Sequence, residues 1–95
     1  MRIMVEQAAA RWYKREMSLV DGDDLRIFVR MGGCGSVVPG LSLGVMKDTP
    51  VSPALSEVVE GIRFYIEDDN VWYLDHRELH ILFDEKHDDI SLEVV

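Results

Sequence analysis

Leu25-Arg26-Ile27-Phe28-Val29-Arg30 is the stretch on which the fold turns. Leu25, Ile27 and Val29 alternate with Arg26, Phe28 and Arg30, the period-two pattern of a strand with one face buried. The same period continues toward the C-terminus. Leu41, Leu43 and Val45 alternate with Ser42, Gly44 and Met46. Pro50 and Pro53 mark a connection that no central strand accommodates, because proline cannot donate to a ladder. Residues Ser56–Glu60 predict a strand before a turn at Gly61, and Ile62, Phe64 and Ile66 predict the next one. Glu67–Leu74 begins acidic and ends aromatic, which suits a turn or one short helix. Leu79, Ile81 and Phe83, then Ile90, Leu92 and Val94, complete the alternating segments. Toward the N-terminus, Asp21-Gly22-Asp23-Asp24 is a turn. Glu6–Met17 is rich in good helix formers, with Val5, Ala8, Ala9, Trp12 and Tyr13 on one stripe. Met1–Val5 predicts a short strand with Ile3 and Val5 on one face. Short strands with frequent turns and one N-terminal helix predict a mainly β, α+β fold, a β-sandwich or partial barrel with the helix packed on it.

Ninety-five residues, 47% of them hydrophobic, predict one domain over 1–95 with a single core. No apolar run approaches the roughly 18 residues of a membrane span. The first residues lack the long apolar stretch of a secretory signal. A lone cysteine, Cys34, excludes an internal disulfide framework. A reducing, cytoplasmic setting is therefore the expectation. The net charge of −8 is unevenly placed. Residues 1–66 carry eight acids and eight bases, whereas 67–95 carry ten acids against Arg77 and Lys86. Such a surface repels phosphates and argues against nucleic acid. It serves solubility, and it suits cations or a basic partner.

Chemistry-bearing residues are few. Met31-Gly32-Gly33-Cys34-Gly35-Ser36 places three of the seven glycines around the only cysteine. Backbone N–H groups of such a loop can form an anion-binding nest and lower a thiol's pKa. A lone cysteine also serves as a small apolar residue, and glycines between strands make turns. His76 and His80 stand four apart, but a strand at Leu79–Phe83 puts His80 on the face opposite the core. They and His87 read as surface histidines. Trp12, Trp72 and Tyr73 read as core. Phe28, between Arg26 and Arg30 on an outer face, is a candidate contact for a partner protein or a second subunit. No Ser/His/Asp order, phosphate-binding loop or carboxylate pair points to an enzyme.

Gly32-Gly33-Cys34-Gly35-Ser36 resembles the Gly-Gly-Cys-Ser-Gly loop of the HesB/IscA family, the A-type iron–sulfur carriers. Four other segments follow in order. Val5-Glu6-Gln7-Ala8-Ala9-Ala10 is similar to the family's opening helix. Pro39-Gly40-Leu41-Ser42-Leu43 is similar to its Tyr-Gly-Phe-x-Phe strand. Glu60-Gly61-Ile62 and Val71-Trp72-Tyr73-Leu74-Asp75 are similar to its Asp-Gly-Val and Leu-x-Tyr-Leu-Asp-Gly blocks. The likeness is to a short, cysteine-poor HesB/YadR/YfhF-type branch. It implies a HesB-like domain, with Cys34 as metal ligand and Gly32, Gly33, Gly35 and Ser36 shaping its loop. The family's C-terminal Cys-Gly-Cys is missing, since the chain ends Ile90-Ser91-Leu92-Glu93-Val94-Val95. Clusters normally need four thiolates. The implied role is accessory: transient contact with iron or an iron–sulfur cluster, with nothing stably bound. The alternative is a metal-free protein-interaction module that keeps only the architecture. Glu6 stands where that family has a helix-capping threonine, and His76 where it has a glycine after Asp75.

Overall fold

The computed structural model describes residues 1–32 and 37–95. The elements run β1 (Ile3–Val5), α1 (Gln7–Glu16), β2 (Asp24–Met31), β3 (Leu41–Lys47), β4 (Pro53–Val59), β5 (Ile62–Glu67), one 3-10 turn (Val71–Leu74), β6 (Leu79–Asp84) and β7 (Asp89–Val94). They form a three-stranded sheet, β1-β6-β7, and a four-stranded sheet, β3-β2-β5-β4. The chain is thus mainly β with one helix near its N-terminus, as the alternation predicts. Among the described residues, no helix is long and apolar enough to cross a membrane.

The inner faces follow from the period-two pattern. Ile3 and Val5 lie opposite Leu79 and Ile81 in the parallel β1–β6 pair. Leu25 lies opposite Phe64 in the parallel β2–β5 pair. Leu25, Ile27, Ile62, Phe64, Leu79 and Ile81 are all fully buried in one shared core. Each such side chain contributes about 1.5–3 kcal/mol on burial. The helix meets this core through Ala9, Ala10 and Tyr13. The two alanines bring its backbone close. The Tyr13 ring packs edge-on against Phe64, with centroids 5.9 Å apart. The buried stripe is therefore rotated from the predicted one. Ala8 is exposed and Trp12 half-buried, because Ala9 and Ala10 lie one turn behind Tyr13 and share its face.

The C-terminus of the helix closes in the usual way, with Ser18 at φ +52° and the Leu19 N–H donating to the Lys14 carbonyl at 2.9 Å, whereas the N-terminus of the helix has a substitute for its cap. Glu6 makes no side-chain cap to it. Instead its carboxylate accepts the Phe83 N–H at 2.9 Å, prolonging the β1–β6 ladder. Side chains then tie the helix to its surroundings: Lys14 Nζ donates to Asp21 Oδ1 at 2.5 Å and to the Glu60 carbonyl at 3.0 Å. Arg11 pairs with the Glu60 carboxylate. Trp12 Nε1 donates to the Asp88 carbonyl at 3.1 Å, fastening the helix to the β6–β7 turn.

The β4–β5 hairpin turns on Glu60 and Gly61, with φ of +54° and +75°. A two-residue turn of this hand needs positive φ at both positions. β4 starts at Pro53, three residues before the predicted Ser56. It is an edge strand, so the missing N–H of Pro53 breaks no ladder.

The β3–β4 connection creates a second buried layer that the alternation did not foretell. Lys47, ending β3, lies opposite Leu25 near the start of β2. Pro53, starting β4, lies opposite Glu67 at the end of β5. With β2 and β5 parallel, residues 48–52 must cross the outer face diagonally. Asp48 Oδ2 lies 3.6 Å from Arg26, and Val51 and Ser52 N–H groups donate to the Glu67 carboxylate at 3.1–3.3 Å. Tyr65, at an outward register position, is left with no exposed surface. Glu67 belongs to the acidic last third, yet it is buried.

Glu67→Ala removes the acceptor of both N–H groups. It is expected to destabilise the fold by about 1.5–3 kcal/mol, the range for hydrogen bonds to a charged group, as measured by urea unfolding. Burial first, and the Asp89 charge second, push the Tyr13 phenol up to about 12. A phenol raised by folding contributes its stability below the unfolded value of 10.0, and loses it as pH rises toward about 12. The urea midpoint is expected to fall across that interval, and Tyr13→Phe is expected to flatten the fall.

Candidate functional site

The glycine-rich loop is closed at its base. Gly32, at φ +93°, donates its N–H to the Gly40 carbonyl at 2.8 Å. Ser42 Oγ donates to the Gly32 carbonyl, also at 2.8 Å. Gly33, Cys34, Gly35 and Ser36 lie outside the described residues. Among the described residues, no three His, Cys, Asp or Glu side chains are grouped to hold a metal ion. The histidines do not converge. His76 is exposed. The His80 ring pairs with Glu78 Oε1 at 2.9 Å, and His87 Nδ1 with Asp84 Oδ2 at 2.6 Å. Those hydrogen bonds are the leading cause holding the Glu78 and Asp84 carboxyls below their ordinary range.

Phe28 heads the first surface feature. The β2–β5 ladder spans Asp24–Arg26 only, so the rest of the β2–β3 hairpin runs on as an arm. Asn70 Oδ1 accepts the Val29 N–H at 3.1 Å, and the Tyr73 hydroxyl donates to the Leu41 carbonyl at 3.2 Å. These two contacts brace the arm. Phe28 lies directly across from Gly44. A Cβ at Gly44 would stand 2.7 Å from Phe28 Cζ and 3.1 Å from Arg30 Cδ. The glycine is a notch over which the Phe28 ring and the Arg30 stem lie flat. Phe28 is thereby half-buried, and the more open apolar group on its face is Met46, 41% exposed. Arg30 forms no ion pair among the described residues, while Arg26 beside it is shared by Asp48 and Asp69.

Trp72 heads the second. Tyr73 is buried as expected, but Trp72 is 54% exposed, which corrects its assignment to the core. A four-residue 3-10 turn buries one side only, and Tyr73 and Leu74 occupy it. Trp72 instead walls an open cleft of about 410 Å³ with Met1, Asp68, Val71, Asp75 and His76. Its Nε1 donates to the Asp69 carbonyl at 2.9 Å, which fixes the ring. Asp75 and His76 follow with φ of +50° and +64°, two consecutive left-handed residues without a glycine. No sequence signal separated Trp72 from Tyr73, since a short turn has no reliable period.

No family model matches the chain. Over 93 residues it is 40% identical to a pyruvate dehydrogenase inhibitor of Bacillus subtilis, an alignment covering 98% of both chains. Over 94 residues it is 31% identical to an uncharacterised protein of Staphylococcus saprophyticus, covering 96% of both. The full-length match to the inhibitor overturns the HesB/IscA resemblance, and with it the assignment to iron–sulfur biogenesis. The physical reason is visible in the motifs. Gly32-Gly33-Cys34-Gly35-Ser36 and Glu60-Gly61-Ile62 are built from turn residues, which any tight hairpin selects.

Left-handed backbone costs a side-chain-bearing residue roughly 1 kcal/mol or more, and glycine almost nothing. His76→Gly is accordingly expected to stabilise the fold by about 1 kcal/mol, read as a higher thermal midpoint.

Proposed function

The chain belongs to the family of the Bacillus subtilis pyruvate dehydrogenase inhibitor, and on that premise we propose that it is a non-catalytic protein that binds an enzyme of the pyruvate dehydrogenase type and restrains it. The observation that carries this reading is the end-to-end match to a protein named as an inhibitor, at 40% identity. The match leaves no room for an added domain in the relative, so inhibition there is the work of a chain of the same extent.

The surface supports the same reading. A small inhibitor that carries no reaction of its own must act through contact area and shape. The arm offers a preorganised platform, because Phe28 and Arg30 are already laid down over Gly44. Aromatic residues, methionine and arginine are enriched where proteins meet. Phe28, Arg30 and Met46 supply all three on one face of the hairpin. This is the interaction-module alternative of the sequence analysis, now given a class of partner.

Purified pyruvate dehydrogenase complex, assayed by pyruvate-dependent NADH formation, tests it. The rate is expected to fall saturably as the chain is added. The double variant Phe28→Ser/Arg30→Ala is expected to need at least about tenfold more protein for the same effect, equivalent to about 1.4 kcal/mol of binding. An unchanged rate, with no co-elution of chain and complex on gel filtration, would falsify the reading.

A further inference from the structure

The chain's cations are largely spent on itself. Arg2, Arg11, Lys14, Arg15, Arg26, Lys47 and Arg63 each lie in an ion pair with a carboxylate of the same chain. The acids of the last third are too many for what remains. Asp68 and Asp75 form no ion pair with any described residue, and both line the Trp72 cleft.

Three features of that cleft define what fills it. The first is the ring. Trp72 has its N–H already bonded to the Asp69 carbonyl, so its open part offers no donor. What it offers is an apolar plane with a negative π-face, the surface a cation prefers. The second is charge. Asp68 and Asp75 line the cleft together with the ring, and neither lies in an ion pair among the described residues. Asp68 Oδ2 accepts from Ser52 Oγ at 2.5 Å, which aims the carboxylate without cancelling its charge. The third is the apolar remainder. Met1 and Val71 line the same space, suiting a methylene stem better than a bare metal ion. Backbone holds the parts in place: Asp68 N–H donates to the Ser52 carbonyl at 2.9 Å and Asp75 N–H to the Trp72 carbonyl at 3.1 Å.

The geometry points to this cleft as the seat of a lysine or arginine side chain presented by a partner protein, its stem against Trp72, Met1 and Val71 and its charge between Asp68 and Asp75. This rests on the reading of the chain as a protein-binding inhibitor, and adds the chemistry of one contact. The partner's segment is basic and has an apolar neighbour. The cleft is a separate contact from the Phe28 platform, since it is built on the turn after β5 and not on the β2–β3 arm. An ammonium or guanidinium bound here gains from the ring and from both carboxylates. It keeps part of its affinity at high salt, because the aromatic and apolar share is not screened.

The test reads the two tryptophan indole N–H resonances by NMR. The full chain is titrated with a short Lys-Leu-Lys peptide and with its Glu-Leu-Glu counterpart at millimolar concentration. Trp12 is the internal reference, because its N–H is tied to Asp88 at the helix. The expected result is a saturable shift of the Trp72 signal with the basic peptide alone, Trp12 staying still. Asp68→Asn/Asp75→Asn is expected to weaken that binding at least fivefold. Asparagine tolerates the positive φ of position 75 and can accept the Ser52 hydrogen bond, so the variant keeps the fold. A still Trp72 signal, an equal response to the acidic peptide, or undiminished binding by the double variant each overturns the assignment. The titration contains no pyruvate dehydrogenase. A failed inhibition assay beside a successful titration therefore removes the enzyme reading alone, and the reverse removes the cleft alone.

Discussion

Leu25 and Ile27 on β2 must be buried from two sides at once, and the rest of the molecule is arranged to do it. In the sheet, Leu25 faces Phe64 across a parallel ladder, and Ile27 faces Val45 across an antiparallel one. Above the sheet, the helix and the smaller sheet bring Ala9, Ala10, Tyr13, Leu79 and Ile81 into the same cluster. A chain of 95 residues buries a smaller share of its surface than a large one. It cannot support two cores, so both sheets share one. That sharing forces the β3–β4 connection across the outer face, because the inner face is already filled.

The crossing connection in turn sets the character of the surface. It buries Tyr65 on the side that would otherwise be solvent, and it turns Glu67 into an anchor for backbone N–H groups. The Tyr65 hydroxyl and Arg26 Nε beneath it have no hydrogen-bond partner among the described residues. With β2 and β5 covered there, the open part of the outer face shifts to the arm, where Gly44 makes room for Phe28. Past β5, the Ser52–Asp68 contacts set the position of the turn that carries Trp72. The two candidate contacts thus lie on either side of one structural device.

Much of the fold was legible. Leu25–Arg30, Leu41–Lys47, Ile62–Ile66, Leu79–Phe83 and Ile90–Val94 each alternate cleanly, and each is a strand. The helix was legible from its composition, though not its rotation, which depended on where two alanines could approach a sheet. Of the candidate site, the outward placement of Phe28 was legible, because it alternates with Leu25, Ile27 and Val29. Trp72 was not, because the 3-10 turn Val71–Leu74 has no periodicity to say which ring faces inward. The motif likeness around Gly32-Gly33-Cys34-Gly35-Ser36 misled for a related reason. Glycine and serine mark the demands of a turn, and turns recur in unrelated chains.

By itself, the sequence determined which residues alternate, where the prolines and paired glycines stop a strand, and that the excess acid lies in the last third. These are local properties, set by side-chain size, backbone freedom and charge within a few residues. The tertiary structure alone decided the pairing β3-β2-β5-β4, the diagonal crossing over Tyr65, and the gathering of Trp72, Asp68 and Asp75 around one cleft. Those depend on contacts between residues far apart in the chain, whose energies no local pattern records until the core they share has formed.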